Sequence, residues 1–175
     1  MPCCLVTIML LYHPIEDSTH CCYRLIRLLY VIDKSIPITS LMICDFYSLF
    51  PGQLKKISGW PKKKSDADKI VQGIPNEYEE ILNPKRVFFQ LTGIQATALA
   101  HLKSKGIIEF STSDQLNVHL KIDALPDIFI EILRNDSIIN EGWFLLISKE
   151  MCKIPIMGKN GLKSKTGLME FVYDK

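Results

Sequence analysis

The stretch from Pro84 to Ile122 constrains the fold most, because its capping, periodicity and turn signals agree with one another. Asn83 is placed to cap a helix that begins at Pro84, where the missing N–H leaves nothing unsatisfied. Val87, Phe88 and Leu91 share one side of that short helix. Thr92-Gly93-Ile94-Gln95 has the capping-box form and predicts a second helix, in which Thr92 and Gln95 satisfy each other's orphan backbone donors. Ile94, Ala98, Leu99 and Leu102 give its buried face, and Lys103-Ser104-Lys105-Gly106 suits its C-terminus. Ile107 to Phe110 predicts a strand, and Thr112, Ser113 and Asp114 a turn. Leu116, Val118, Leu120 and Ile122 then alternate with Asn117, His119 and Lys121, the period of a half-buried strand.

Helix, helix and ribbon predict an α+β, mainly α fold: a helical domain built around a winged-helix unit with a two-stranded β-wing. The outer face of the second helix is expected to carry Gln95, Thr97, Ala100, His101 and Lys103. Only one amide and one lysine there suit base edges, so packing or partner docking is favoured over sequence-specific DNA readout.

A length of 175 residues supports one core, divided here into an N-terminal helical pair (12–56), a basic loop with a short helix (57–83), the winged unit (84–122) and C-terminal helices with a glycine- and lysine-containing tail (123–175). In the first segment, Ile15-Glu16-Asp17-Ser18 starts a helix expected to run to Ile32. Cys21, Cys22, Leu25, Leu28, Leu29 and Ile32 form its apolar side, and Arg24 and Arg27 mark its wetter side. A second helix, capped by Thr39 or Ser40, is expected to end near Phe50-Pro51-Gly52. Asp45 and Tyr47 are the polar exceptions to its inward side, and a buried Asp45 needs a partner such as a backbone N–H or an arginine, Arg24 or Arg27. Lys55 to Asp68 predicts an exposed loop, Ile70 to Leu82 partial structure with a helical turn at 76–80, and Asp123 to Pro126 the start of another helix with Ile128, Phe129, Ile132 and Leu133 as its apolar stripe. The run Trp143 to Ile147 is too apolar for one face of an amphipathic helix, so part of it is expected to meet a neighbouring element or another chain.

Twenty-one Lys and Arg against nineteen Asp and Glu leave a formal charge of only +2, but the lysines are uneven. Lys55, Lys56, Lys62, Lys63, Lys64 and Lys69 lie in one stretch and Lys153, Lys159, Lys163 and Lys165 in another. Either can meet phosphate, although a solvated face is the plainer reading. Cys3-Cys4, Cys21-Cys22, Cys44 and Cys152 have neither disulfide nor C-x-x-C zinc spacing, which fits a reduced, cytoplasmic protein without a metal site. The run Leu5 to Tyr12 is too short to span a bilayer and has no basic residues before it, so it is expected to be a buried first strand unless translation begins at Met9.

Catalytic signatures are missing. Gly161 and Gly167 are six apart and followed by Leu168-Met169, which is not a P-loop. No G-x-S-x-G, H-E-x-x-H or D/E-x-K occurs, and His20 and Cys21, adjacent on a helix, point in different directions. The chain reads as a non-enzyme without a cofactor.

Three pieces together carry a family resemblance: Tyr12-His13-Pro14-Ile15-Glu16-Asp17 with His20, Arg24 and Leu25; Asp45 to Pro51; and Gly161-Leu162-Lys163-Ser164-Lys165-Thr166-Gly167-Leu168 with Tyr173-Asp174. They resemble the middle component of ABC three-component systems, the Lamassu-type prokaryotic defence systems. The resemblance implies a small non-catalytic subunit linking an SMC-like ABC ATPase to an effector, commonly a nuclease, somewhat as kleisins do, with DNA met through the complex and no membrane. It marks Tyr12, His13, Asp17, His20, Arg24, Asp45, Gly161, Leu162, Lys163, Lys165, Thr166 and Gly167 as partner-binding positions, to which the apolar run adds Trp143 and Phe144. Residues before Tyr12 lie outside the resemblance, and Lys165 stands where arginine is expected, losing a bidentate contact. Lys62, Lys63, Lys64, Lys103 and Lys105 are the candidate phosphate contacts. A winged-helix transcription regulator is the alternative, and an effector enzyme is third.

Overall fold

Asp17 opens the described part of the chain by capping α1 (Ser18–Ile32): its Oδ1 accepts the backbone N–H of Thr19 at 2.7 Å and of His20 at 3.1 Å. The computed structural model describes residues 17–75, 81–112 and 116–169. The expected first strand, Tyr12, His13 and the helical turn expected at 76–80 therefore fall outside the described residues. Helix α1 stops at Asp33, which adopts the left-handed conformation with φ 51°.

After β1 (Ile36–Pro37) comes α2 (Ile38–Leu49). Pro37 is its N-cap residue and no side chain caps it, so the expected Thr39 or Ser40 cap does not form: both residues already lie inside the helix. Eight of the twelve residues of α2 are buried, on every side, which makes it the central helix. A 3-10 stretch, Pro51–Lys56, leads out of it, so the expected loop is confined to residues 57–65. Ser65 then caps α3 (Asp66–Gly73), its hydroxyl accepting the Asp68 N–H at 3.1 Å.

The segment 84–104 differs from expectation. Asn83 caps Arg86 N–H at 3.0 Å as anticipated, but α4 (Pro84–Ser104) is one unbroken helix of 21 residues. No capping box forms: the Thr92 hydroxyl donates to Phe89 O at 2.6 Å, and the Gln95 side chain turns inward. A glycine inside a helix costs about 1 kcal/mol. One buried face, Phe88, Leu91, Gln95, Ala98, Leu99 and Leu102, continues through Gly93 and offsets that cost.

Gly106, at φ 70°, turns the chain into β2 (Ile108–Thr112), which pairs antiparallel with β3 (Leu116–Leu120) from Ile108↔Leu120 to Thr112↔Leu116. Beyond the predicted ribbon, β1 adds itself to the free side of β3 through Ile36↔Val118 and Pro37↔Asn117. The result is a three-stranded antiparallel sheet of order β1-β3-β2. Val118, between its neighbours, is fully buried, whereas Leu116 at the strand's edge and Ile122 beyond its end, both expected on the core side, are 49% and 38% exposed.

A short 3-10 turn, Ile122–Ala124, precedes α5 (Asp127–Arg134), and Ser137–Asn140 forms another before α6 (Gly142–Leu145). Helix α6 widens into a π-helical stretch, Leu146–Glu150. Its apolar run is absorbed by this chain's own core: Phe144, Leu146 and Ile147 are buried beside α1 and α2. The tail closes with α7 (Leu162–Thr166). The fold is thus mainly helical with one small antiparallel sheet.

Candidate functional site

Three helices bring polar side chains together at the centre of the molecule, and those of α1 and α2 stand at resemblance-marked positions. Arg24 of α1 is 1% exposed and Asp45 of α2 is 0% exposed; Arg24 and Arg27, expected on the wetter side of α1, are both buried. Arg24 grips Asp45 in a two-pronged pair, Nε to Oδ1 at 2.8 Å and Nη2 to Oδ2 at 3.0 Å. Gln95 of α4, expected on the outer face, is fully buried and donates from Nε2 to Asp45 Oδ2 at 2.9 Å and to Met42 O at 3.0 Å. Arg24 Nη1 lies 3.0 Å from His20 Nδ1, a contact that needs the ring nitrogen unprotonated. Burial, followed by the charge of Arg24, holds the His20 pKa below its ordinary value. Removing two charges from water is tolerable only when their hydrogen bonds are filled, as they are here, and the pair fixes how α1, α2 and α4 meet.

Arg27, one turn further along α1, is also buried, at 5% exposure. Its Nη1 meets Asp136 Oδ2 at 3.2 Å, and its guanidinium lies 5.1 Å from the centre of the Phe144 ring. Tyr23 donates to the same carboxylate oxygen at 2.8 Å. Burial works against the charged Asp136, but the bonds from Tyr23, the Ile138 N–H and Arg27 win and hold its carboxyl below the usual range. This second cluster pins the turn before 137–140 to α1. Phe144 is its floor, and Trp143 packs edge-on against Phe144 at 5.8 Å.

The tail motif is a clip. An added Cβ at Gly161 would stand 2.6 Å from the Met157 carbonyl carbon and oxygen, so only glycine fits. That close approach lets Leu162 N–H reach Pro155 O at 2.7 Å and sinks Leu162 into the core. The Thr166 hydroxyl donates back to Leu162 O at 2.8 Å, and Gly167 ends α7 in the left-handed conformation, φ 63°. Lys165 accepts the Ser58 N–H on its carbonyl at 3.1 Å and extends its ammonium toward Gly59 O at 3.5 Å. The residues that carry the resemblance here hold the end of the chain against the 57–60 loop.

The sequence profile of the ABC-three component (ABC-3C) system Middle Component 5 family matches residues 10–174. The chain belongs to that family. Middle Component 5 is associated with prokaryotic defence, and a middle component works with the other proteins of its system. No curated protein and no solved structure matches the chain.

In this Middle Component 5 chain the marked positions separate by burial. Arg24, Asp45, Phe144 and Leu162 are spent on internal contacts, while Asp17 caps α1 and His20 sits half-buried at the mouth of the Arg24 pair. Lys163, Lys165, Thr166 and Gly167 are partly exposed. Lys62, Lys63, Lys64, Lys103 and Lys105 are exposed, Lys103 lying 4.9 Å from the centre of the Phe110 ring. The inward amide of Gln95 escapes a residue-by-residue reading, whereas the exposed pair Ile128 and Ile132, one turn apart on α5 at 64% and 49% exposure, lies on the apolar stripe expected of that helix. The spacing 88-91-95-98-102 carries the signal for Gln95, and treating Gln95 as inward would have revealed it. The described cysteines are free; burial pushes the Cys21 thiol up to about 12 and Cys44 well above its ordinary value, unsuited to nucleophilic work. Among the described residues no group of His, Cys, Asp and Glu could hold a metal ion, and no helix is long and apolar enough to cross a membrane.

Proposed function

We propose that this chain is a non-catalytic assembly subunit that links an SMC-like ABC ATPase to an effector in a Lamassu-type complex, meeting DNA as part of that complex in the cytoplasm. The exposed α5 stripe carries the reading. Ile128 and Ile132 form an unpartnered apolar strip in a member of a multi-component family, and such strips mark protein contacts. The kleisin-like comparison rests on reading the three helices and small sheet as winged-helix-like. The order α1, β1, α2, α4, β2, β3 with sheet order β1-β3-β2 favours that fold, with the 51–73 segment inserted before the third helix.

The alternative, a sequence-reading regulator, loses its best side chain. Gln95 faces Asp45 rather than solvent, and the exposed face of α4 offers Thr97, Ala100, His101 and Lys103. Lys62, Lys63, Lys64, Lys103 and Lys105 are the cations this reading assigns to phosphate, without base readout. Co-expression with the SMC-like ATPase and size-exclusion chromatography test it. A complex in fixed ratio, weakened by Ile128→Asp together with Ile132→Asp, is expected. Alone, the chain should self-associate in light scattering. A monodisperse chain that ignores the ATPase and selects one duplex sequence overturns the reading in favour of the regulator.

A further inference from the structure

We propose that two lysine stretches far apart in the sequence, together with the start of α4, form one phosphate-binding face for the backbone of a nucleic acid. The tail clip creates it. Lys165 bonds through its carbonyl to Ser58 and points its ammonium at Gly59 O, 3.5 Å away. Lys62 follows Gly59 by three residues and Lys64 by five, so their backbones lie within about 11 Å and about 18 Å of the Gly59 position that Lys165 reaches. On the other side, a Cβ built at Gly167 lies 3.9 Å from Lys85 Cε, which places the first turn of α4 against the same clip. Lys62, Lys63, Lys64, Lys85 and Lys165 thus sit on the loop, the helix start and the clip that these contacts join.

These charges are not spent locally. Elsewhere, Lys121 pairs with Glu109, Lys153 with Glu150 and Lys69 with Asp66. Lys62, Lys63, Lys64, Lys85 and Lys165 make no ion pair among the described residues. The nearest described carboxylates in sequence are otherwise engaged: Asp66 with Lys69, and Asp68 with the Lys64 backbone N–H at 2.8 Å and Gln72. Lys64 itself is held left-handed at φ 62°, where glycine or asparagine is easier, yet the position carries a cation. The loop is also anchored, by Trp60 packed on the core and by the Ser58 bond. Protein interfaces are depleted in lysine and enriched in arginine, so a lysine face suits a phosphate polymer better than an acidic protein.

The inference deepens the proposed role in a DNA-associated complex and rests on it for its setting, but it is tested separately on the full chain. Fluorescence anisotropy with a labelled short duplex of arbitrary sequence is measured from ~50 to ~200 mM NaCl. Lys62→Gln/Lys63→Gln/Lys64→Gln should lower the slope of log affinity on log salt by about three, and Lys85→Gln and Lys165→Gln by about one each. Lys34→Gln/Lys149→Gln, at exposed lysines outside this face, should leave it unchanged. Scrambling the duplex should change nothing. The inference is overturned if wild type does not bind at ~50 mM salt, if the five-lysine variant keeps the wild-type slope, or if polyglutamate displaces DNA at equal charge concentration. Each variant is also scored for ATPase co-purification and thermal unfolding. Loss of DNA binding with both retained supports this face, whereas loss of ATPase binding in wild type fails the linking role alone.

Discussion

The interior where α1, α2 and α4 meet and the rim formed by the 57–65 loop and the 161–167 clip both depend on charged side chains, in opposite ways. Inside, Arg24, Asp45, Gln95 and His20 are joined in one network, and only Gln95 Oε1 among the atoms of Asp45 and Gln95 goes without a partner. At the rim, Lys62, Lys63 and Lys64 stand in solvent. Burial makes an unpaired charge too costly to keep, so an interior charge is committed to the fold. Water supports an unpaired ammonium at little cost, so a rim charge stays available for another molecule.

The sharpest way to break this contrast is Asp45→Ala. It strands a buried arginine and should cost about 3–5 kcal/mol in urea unfolding. Replacing Arg24 and Asp45 together by apolar residues should recover much of that, and if it does not, the network does more than satisfy itself. Gly161→Ala comes next: the Met157 carbonyl has to move, and a loss of about 1–3 kcal/mol is expected, with faster proteolysis near Ser58 as the clip loosens. Gln95→Ala removes the third helix's hold on Asp45 and should cost about 1–3 kcal/mol while leaving DNA affinity unchanged; a change in sequence preference would instead restore the regulator.

Acid sharpens the comparison further. His20 has a folded pKa below the ordinary 6.5, so between the two values the unfolded chain binds more protons. Stability should therefore fall as pH drops through 6.5 toward the folded value, and His20→Gln should flatten that part of the profile in denaturant titrations. Smallest of all, the triple Gln variant at Lys62, Lys63 and Lys64 should shift stability by no more than about 0.5 kcal/mol. A larger loss would mean that the rim charges are structural after all.

Local signals determined much by themselves. The acidic start and apolar spacing of α1, the Asn83-Pro84 start of α4, the strand alternation after Ile107 and the need of a buried Asp45 for a partner are all visible in sequence, because each depends on neighbours a few residues away or on a cost any burial imposes. The tail motif was visible as a motif, but its role as a clip was not. That role requires Ser58 and Lys165 to meet across more than a hundred positions.

Only tertiary structure decided which way ambiguous groups point. Thr92-Gly93-Ile94-Gln95 is a sound local start for a helix, yet the continuous apolar face and the acceptor waiting at Asp45 keep α4 whole and turn Gln95 inward. Arg24 and Arg27 belong on a wet face by polarity and sit in the core because Asp45 and Asp136 come to meet them. The run at 143–147 is apolar enough for a partner, but α1 and α2 reach it first. In each case the local preference is worth about a kcal/mol, and burial or charge pairing across the fold outweighs it.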